Sequence, residues 1–529
     1  MVFTLHRYIF RELFRVFILA TVALTLILSL GSMLQPIQKY GVGPEQVVHL
    51  LGYFLPITLT FVLPMGTLFA TALVYGRIAS DNELDACRAS GISLMTLVYP
   101  GLFLAIIISI TTLVLSFHVV PAFVHRAERA VKANAKQILF RNIQRKGYYK
   151  IPDGRFNIYA DQVRPQNNLL SGVIIVKSTA YQPEKLITAK NAKIVIDSTK
   201  KSNEVKVVAQ EAYQIDDTGQ AYSRQLPVSG RFAPLMSDNI KFQKHNRIKK
   251  IKANMLEFYP VRKIAMEVRA QLGMEMLSED ITKTITDPNN SYYQFIAEDR
   301  IVMFTAGRCV PRTDKTLQLV GPIRLLEFDK ITHERMCQWD SNKGMIKLED
   351  EEIGSKMVMV IYNPTWNRGG GINSLAQRHV IKNLSWPVSL EAGLGEKGLL
   401  RKLDEIPSLL STQPTDELIS LQKQLELKMI RTSNNIIAET HSRLVFGLGA
   451  ITLILISIAM GIILKGGHLL SAFGVSAVPF AVLVVFMMSG RQLTKHPQIS
   501  PAAGILVMWT GLFILTIVAI MIYRRLLRT

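Results

Sequence analysis

Long uncharged apolar runs occupy the two ends of this 529-residue chain, while the middle alternates polar and apolar positions at short intervals. Six stretches contain no Asp, Glu, Lys, Arg or His: Val16–Met33, Leu50–Gly76, Ala89–Phe117, Leu444–Leu464, Leu469–Gly490 and Pro497–Tyr523. Each approaches or exceeds the ~20 helical residues that cross ~30 Å of hydrocarbon at 1.5 Å per residue. A buried core helix rarely needs so long a run without charge, so all six are expected to span a bilayer. The first run is too long for a cleaved signal, and no small-residue cleavage site follows it.

The pattern changes between the two blocks. A basic, helix-like stretch at Pro121–Ile143 gives way to short β-branched runs broken by turn residues. These are Phe156–Ala160, Gly172–Val176, Leu186–Ala189, Ala192–Ile196 and Val205–Ala209, a spacing that predicts an all-β sandwich or roll. A second series follows at Ile301–Thr305, Leu317–Val320, Ile323–Phe328 and Met357–Tyr362. Tyr292-Tyr293 heads it much as Tyr148-Tyr149 heads the first, which suggests a second β unit, duplicated or independent. Met255–Leu277 reads as an amphipathic helix, and Lys397–Glu439 as polar and helical.

The fold class is therefore an α-helical membrane protein, three helices plus three, with an inserted all-β jellyroll-like domain enlarged by a second β unit. The expected divisions are 1–120 (three spans, with a short helical segment at 77–91), 121–274 (first β domain and amphipathic helix), 275–395 (second β unit or insertion), 396–440 (polar helical linker) and 441–529 (three spans).

Charge sets the orientation. Arg7, Arg11 and Arg15 precede the first span, Arg524, Arg525 and Arg528 follow the last, and Arg77 and Arg88 flank the turn after the second. Excess Lys and Arg marks the cytoplasmic side, so both termini are expected there and residues 118–443 on the far side. Arg491 and Lys495, between the last two spans, weigh mildly the other way. Most of the formal charge of +21 lies in the middle of the chain. A basic membrane protein suits an anionic lipid or phosphorylated partner as readily as nucleic acid.

Chemistry is sparse. No Gly-x-x-x-x-Gly-Lys-Ser/Thr loop is present to cradle ATP phosphates, and neither His-Glu-x-x-His nor Gly-x-Ser-x-Gly occurs. Ser420 and Lys423 have Ser-x-x-Lys spacing but lie in a polar helix, where a solvated face is the ordinary reading. The chain is therefore not expected to be an enzyme, to carry a cofactor or to bind a metal. Cys87, Cys309 and Cys337 have no metal-ligand spacing; Cys309 and Cys337 can pair if the middle faces an oxidising space. No ionisable group lies inside the six runs, which disfavours ion-coupled transport and implies an external energy source.

Three features can carry a function. Between the second and third spans, Asp81, Glu83 and Asp85 sit near the positive end of a short helix and Arg88 near the other, with Ser80 or Asp81 as cap. Such a helix, held between two spans, is a lever for a cytoplasmic motor; the plain alternative is a capped surface turn. Lys241, Lys244, Arg247, Lys249, Lys250 and Lys252 form a run without acid that can hold lipid phosphates, although a solvated loop explains it equally. Lys39, beyond the first span, is placed to meet an anionic headgroup or to anchor the helix by snorkelling.

The sequence also resembles a known family. Arg7-Tyr8-Ile9-Phe10-Arg11-Glu12-Leu13, Leu63-Pro64, Tyr75-Gly76-Arg77 and the stretch Glu83–Ser93 are similar to the LptF/LptG lipopolysaccharide-export permeases. So are Arg443-Leu444, Gly466-Gly467 and Tyr523-Arg524-Arg525. The resemblance covers roughly 1–215 and 435–529. It implies a bacterial inner-membrane protein with a periplasmic jellyroll, paired with a second permease subunit and driven by the cytoplasmic ATPase LptB. Lipopolysaccharide would enter between the subunits and leave through LptC/LptA-like bridge proteins. The implied coupling helix comprises Asp81, Glu83, Leu84, Asp85, Arg88 and Gly91, and the first and fifth spans would line a lateral gate. The middle is about twice the family's usual length. A membrane-anchored envelope scaffold, with the β region binding partners, is the alternative.

Overall fold

The computed structural model describes residues 2–40, 44–133, 135–150, 156–178, 183–197, 204–216, 219–231, 239–287, 291–297, 299–312, 316–348, 356–367, 374–375, 377–387, 390, 410, 413–464 and 469–528. Two compact units divide the chain: Met1–Lys249 with Asn434–Thr529, and Lys250–Ser433.

The first unit holds the helices α1 (Val2–Tyr40), α2 (Pro44–Ser80), α3 (Glu83–Ala89) and α4 (Leu94–Val114). A π-helical turn, Leu115–Val119, runs from α4 into α5 (Val120–Ala133), and α6 (Ala135–Lys146) follows. Among the described residues, six helices are long and apolar enough to cross a membrane. Their spanning stretches are Phe3–Ser29, Gly52–Ser80, Leu94–Arg129, Asp416–Leu464, Ala477–Lys495 and Pro501–Arg528. The protein is a multi-spanning membrane protein with an inserted β-sheet region.

In the bundle, Ile9, Leu13, Leu68, Tyr75, Leu97, Ile454, Leu483 and Met508 form one core. Apolar side chains gain little by leaving lipid, so interhelical hydrogen bonds and close packing must hold such a bundle. Ser109 donates to the Gly447 carbonyl at 2.8 Å and Ser457 to that of Leu68 at 2.6 Å. Arg77 pairs with Glu12 at 3.1 Å, and His6 meets the Thr96 carbonyl at 2.8 Å.

The first sheet is an antiparallel meander in chain order: β1 (Tyr148–Lys150), β2 (Phe156–Arg164), β3 (Leu169–Ser178), β4 (Pro183–Asp197), β5 (Glu204–Asp216) and β6 (Gly219–Arg231). Leu139, Phe140 and Ile143 of α6 pack on one face, against Ile158, Leu170, Val173, Ile175, Ile187, Ile194 and Val207.

The second unit contains α8 (Tyr259–Thr286), which follows α7 (His245–Ala253), and a nine-stranded sheet. Its strands are β7 (Tyr293–Ile296), β8 (Arg300–Thr305), β9 (Arg308–Pro311), β10 (Thr316–Asp329), β11 (Arg335–Leu348), β12 (Met357–Tyr362), β13 (Thr365–Asn367), β14 (Ser374–Leu375) and β15 (Arg378–Leu384). The path β14-β13-β11-β10-β8-β7 carries β12, β15 and β9 as branches, unlike the plain meander of the first sheet. The helix expected from Met255 starts with a tight turn at Met255–Glu257 and then runs as α8, which groups with the second sheet rather than the first.

On β10, Glu327 is 1% exposed and receives Arg300 at 2.7 Å, the Trp339 indole N–H at 2.9 Å and His379 at 2.6 Å. Burial opposes its charge, but the His379 and Arg300 hydrogen bonds outweigh that and hold its pKa below the ordinary value. The chain returns through α9 (Asp416–Leu464), α10 (Leu469–Lys495) and α11 (Pro501–Arg528).

A short acidic helix and a groove in the bundle

α3 is a seven-residue helix, too short to be stable alone, so its neighbours must hold it. Leu84 is 4% exposed and joins the bundle core, with Cys87 and Ile92 packed beside it. Asp81, Glu83, Asp85, Arg88 and Gly91 all face outward.

The helix ends in a Schellman arrangement. The Ile92 N–H reaches the Cys87 carbonyl at 3.1 Å and the Gly91 N–H that of Arg88 at 2.9 Å. Gly91 adopts φ +80°, a conformation that a side chain would strain. At the start, the cap is Asn82, in the left-handed conformation and without a side-chain cap bond. This corrects the assignment to Ser80 or Asp81, because α2 continues to Ser80 and the chain turns only afterwards. Ser93 then caps α4 by accepting the Thr96 N–H at 3.3 Å.

The supports around α3 are polar. The buried Tyr75 hydroxyl donates to the Leu97 carbonyl at 2.9 Å, joining α2 to α4, and the Arg77–Glu12 pair joins α2 to α1. The acidic face thus stands beside two spans, α2 and α4, that are tied to each other and, through Arg77, to α1.

Within the bundle, α1, α2 and α10 enclose an apolar groove of about 160 Å³. Ala20, Ala23 and Leu24 line it from α1, Met65 and Phe69 from α2, and Ala477 and Phe480 from α10.

At the end of the bundle away from α3, Glu439 is buried and bound by two arginines. Arg443 reaches it at 3.2 Å along α9, and Arg491 of α10 binds its other oxygen. Arg443 also donates to the Lys241 carbonyl at 2.6 Å. The Lys241 ammonium sits over the rings of Phe61, at 5.8 Å, and Phe242, at 5.6 Å. Burial lowers the Lys241 pKa; Glu439 opposes that and Arg491 and Arg443 reinforce it.

Of the basic run, Lys241 alone turns inward; Lys244, Arg247, Lys249, Lys250 and Lys252 are exposed. The side chain of Lys39 lies outside the described residues. Cys309 and Cys337, whose pairing the sequence leaves open, are free thiols in this structure. They flank β10 on opposite sides, opposite Leu319 and Glu327. Eight positions of extended strand amount to roughly 25 Å, far beyond disulfide reach. Burial pushes the Cys309 thiol up to about 11.

One feature escaped the sequence reading. Tyr148, Tyr159, Ile174, Thr188, Tyr213 and Tyr222 stand opposite one another across all six strands of the first sheet. They lie on the face away from α6, and every member except Thr188 is an exposed large apolar side chain. Period-two alternation within each strand carries a weak signal for such a row, but register is a tertiary fact.

The profile described as lipopolysaccharide export system permease LptF/LptG matches residues 7–258 and 300–525. The chain belongs to this LptF/LptG family. No curated individual protein matches it. As an LptF/LptG protein it is a non-catalytic membrane permease of the ABC-transporter type. The match includes α3 and all six spanning helices, and part of the second β unit also falls inside it.

Proposed function

We propose that this LptF/LptG protein extracts lipopolysaccharide from the outer leaflet of the bacterial inner membrane. The work is done by the LptB ATPase bound at α3. In this reading both termini are cytoplasmic, 118–443 is periplasmic, a second family subunit completes the cavity, and LptC/LptA-like proteins receive the lipid. The first sheet acts as the jellyroll of the export path.

The seating of α3 carries the proposal. A helix that buries Leu84 and exposes Asp81, Glu83, Asp85 and Arg88 offers charge to a partner while remaining locked to the bundle. Substituting an exposed acid should disturb the partner and spare the fold.

Two further observations support the cargo. The groove among α1, α2 and α10 is apolar, as an acyl chain requires, and α1 and α10 are the helices expected to part as a lateral gate. The Tyr148–Tyr222 row offers an exposed, largely apolar track across the first sheet, interrupted at Thr188. Lys39 and the exposed cations of the 241–252 run are suited to meet headgroup phosphates along the way.

The test is crosslinking in cells. A photo-reactive phenylalanine at Phe69 or Ala477 is expected to trap lipopolysaccharide, and one at the buried Leu104 is not. Equal yields at all three positions, or none, would contradict the proposal.

A further inference from the structure

The second unit holds a cavity with a different chemistry from the bundle groove. It has a volume of about 550 Å³ and is walled by Thr305, Gly307, Arg324, Asp340, Asn342 and Asn363, among others. It formally carries one positive and one negative side chain, so it is close to neutral, which argues against a phosphate or a metal ion.

The charged pair at its rim and the hydroxyls beside it are held in place. Arg324 Nε meets Asp340 Oδ1 at 3.3 Å, and Gln338 donates to the other Asp340 oxygen at 2.9 Å. The Ser341 hydroxyl donates to the Tyr362 carbonyl at 2.6 Å and that of Thr365 to the Asp340 carbonyl at 3.2 Å. Asn342 and Asn363 are exposed, and their amides make no hydrogen bond with the described residues. Asn363 is held at φ 47° by its N–H, which reaches the Gln377 carbonyl at 2.9 Å.

The backbone bends to make room. β10 has a register shift between Val320 and Ile323, and Gly321, at φ +96°, lies directly against Gly307. A Cβ on Gly307 would come within 3.0 Å of the Val320 carbonyl. Bulges of this kind commonly re-aim strands beside binding sites.

Two planar amides, a carboxylate and a guanidinium converging on a neutral cavity match vicinal hydroxyl groups, which both donate and accept. We infer that this cavity binds a neutral saccharide, carried either on a glycolipid headgroup or in cell-wall glycan. Asn342 and Asn363 make the direct hydrogen bonds, and Arg324 and Asp340 fix the rim. The site is additional to the export reading and independent of α3.

The test is calorimetric titration of the detergent-solubilised full chain with two neutral probes, a hexose oligosaccharide of the lipopolysaccharide outer core and N-acetylglucosamine disaccharide. At least one probe should saturate, and the tighter one assigns the source. The Asn342→Ala, Asn363→Gly double variant, which keeps the left-handed turn, should bind at least tenfold more weakly with an unchanged melting temperature. Arg324→Met provides a second variant with the same expected direction. The inference fails if neither probe saturates, if both variants bind like the native chain, or if a neutral pentapeptide displaces the sugar more effectively than either saccharide. Glu83→Lys should leave saccharide binding intact, so failure here is distinguishable from failure of the export reading.

Discussion

The Tyr75 hydroxyl donates to the Leu97 carbonyl at 2.9 Å, and this buried bond ties the helix entering α3 to the helix leaving it. Tyr75→Phe removes it with almost no change of shape. A hydrogen bond of this kind contributes about 1 kcal/mol net. The variant should melt a few degrees lower in detergent, as followed by tryptophan fluorescence. An unchanged melting temperature would mean that the bond does not hold α2 to α4.

Glu439 receives both Arg443 and Arg491, and removing it strands two cations at the edge of the bundle. Breaking a buried ion pair by deleting one partner costs about 3–5 kcal/mol, whereas replacing all members with apolar residues is often neutral. Glu439→Ala should therefore lower the melting temperature sharply. Glu439→Leu combined with Arg443→Met and Arg491→Met should restore most of it. Equal loss in the two proteins would show that packing, not charge compensation, holds α9 to α10.

Residue pattern disclosed the spans and the short acidic helix because both are local: an uncharged run of bilayer length, and acids ahead of an arginine and a glycine. The Glu439–Arg491 pair was hidden because its members are 52 positions apart and flank different spans. β11 also went unread, since Asp340-Ser341-Asn342-Lys343-Gly344 looks like a turn, yet the strand runs through it. Leu186–Ala189 and Ala192–Ile196 likewise proved to be one strand, β4, which runs through Lys190 and Asn191, where Lys190 meets Glu211 at 3.8 Å and the Asn191 side chain accepts from Ser171 at 3.0 Å. In each case ladder pairing on either side carries the strand across a few residues of weak β-propensity. The Asn82 cap was missed because its left-handed backbone, not a side-chain bond, begins α3.

Glu327 should make the second unit sensitive to acid. Its folded pKa lies below the ordinary value of 4.5, so the ionised carboxylate stabilises the fold above that pH. The contribution falls away as the pH drops through the depressed value. The groups facing it are Arg300 (itself paired with Asp299), His379, Trp339 and Cys337. Glu327→Gln should lower stability at pH 7 but show a shallower loss between pH 5 and pH 3 than the native chain, as measured by thermal unfolding. Parallel curves would exclude Glu327 as the acid-sensitive group.

The central claim is that the exposed acids of α3 couple this permease to an ATPase. The most direct measurement is affinity purification of the solubilised chain from its own membranes, with ATPase activity assayed on the eluate. Native protein should carry an ATPase that Glu83→Lys loses while its melting temperature is unchanged. If native protein brings down no ATPase, or Glu83→Lys retains it in full, α3 is not the motor contact and the account is contradicted.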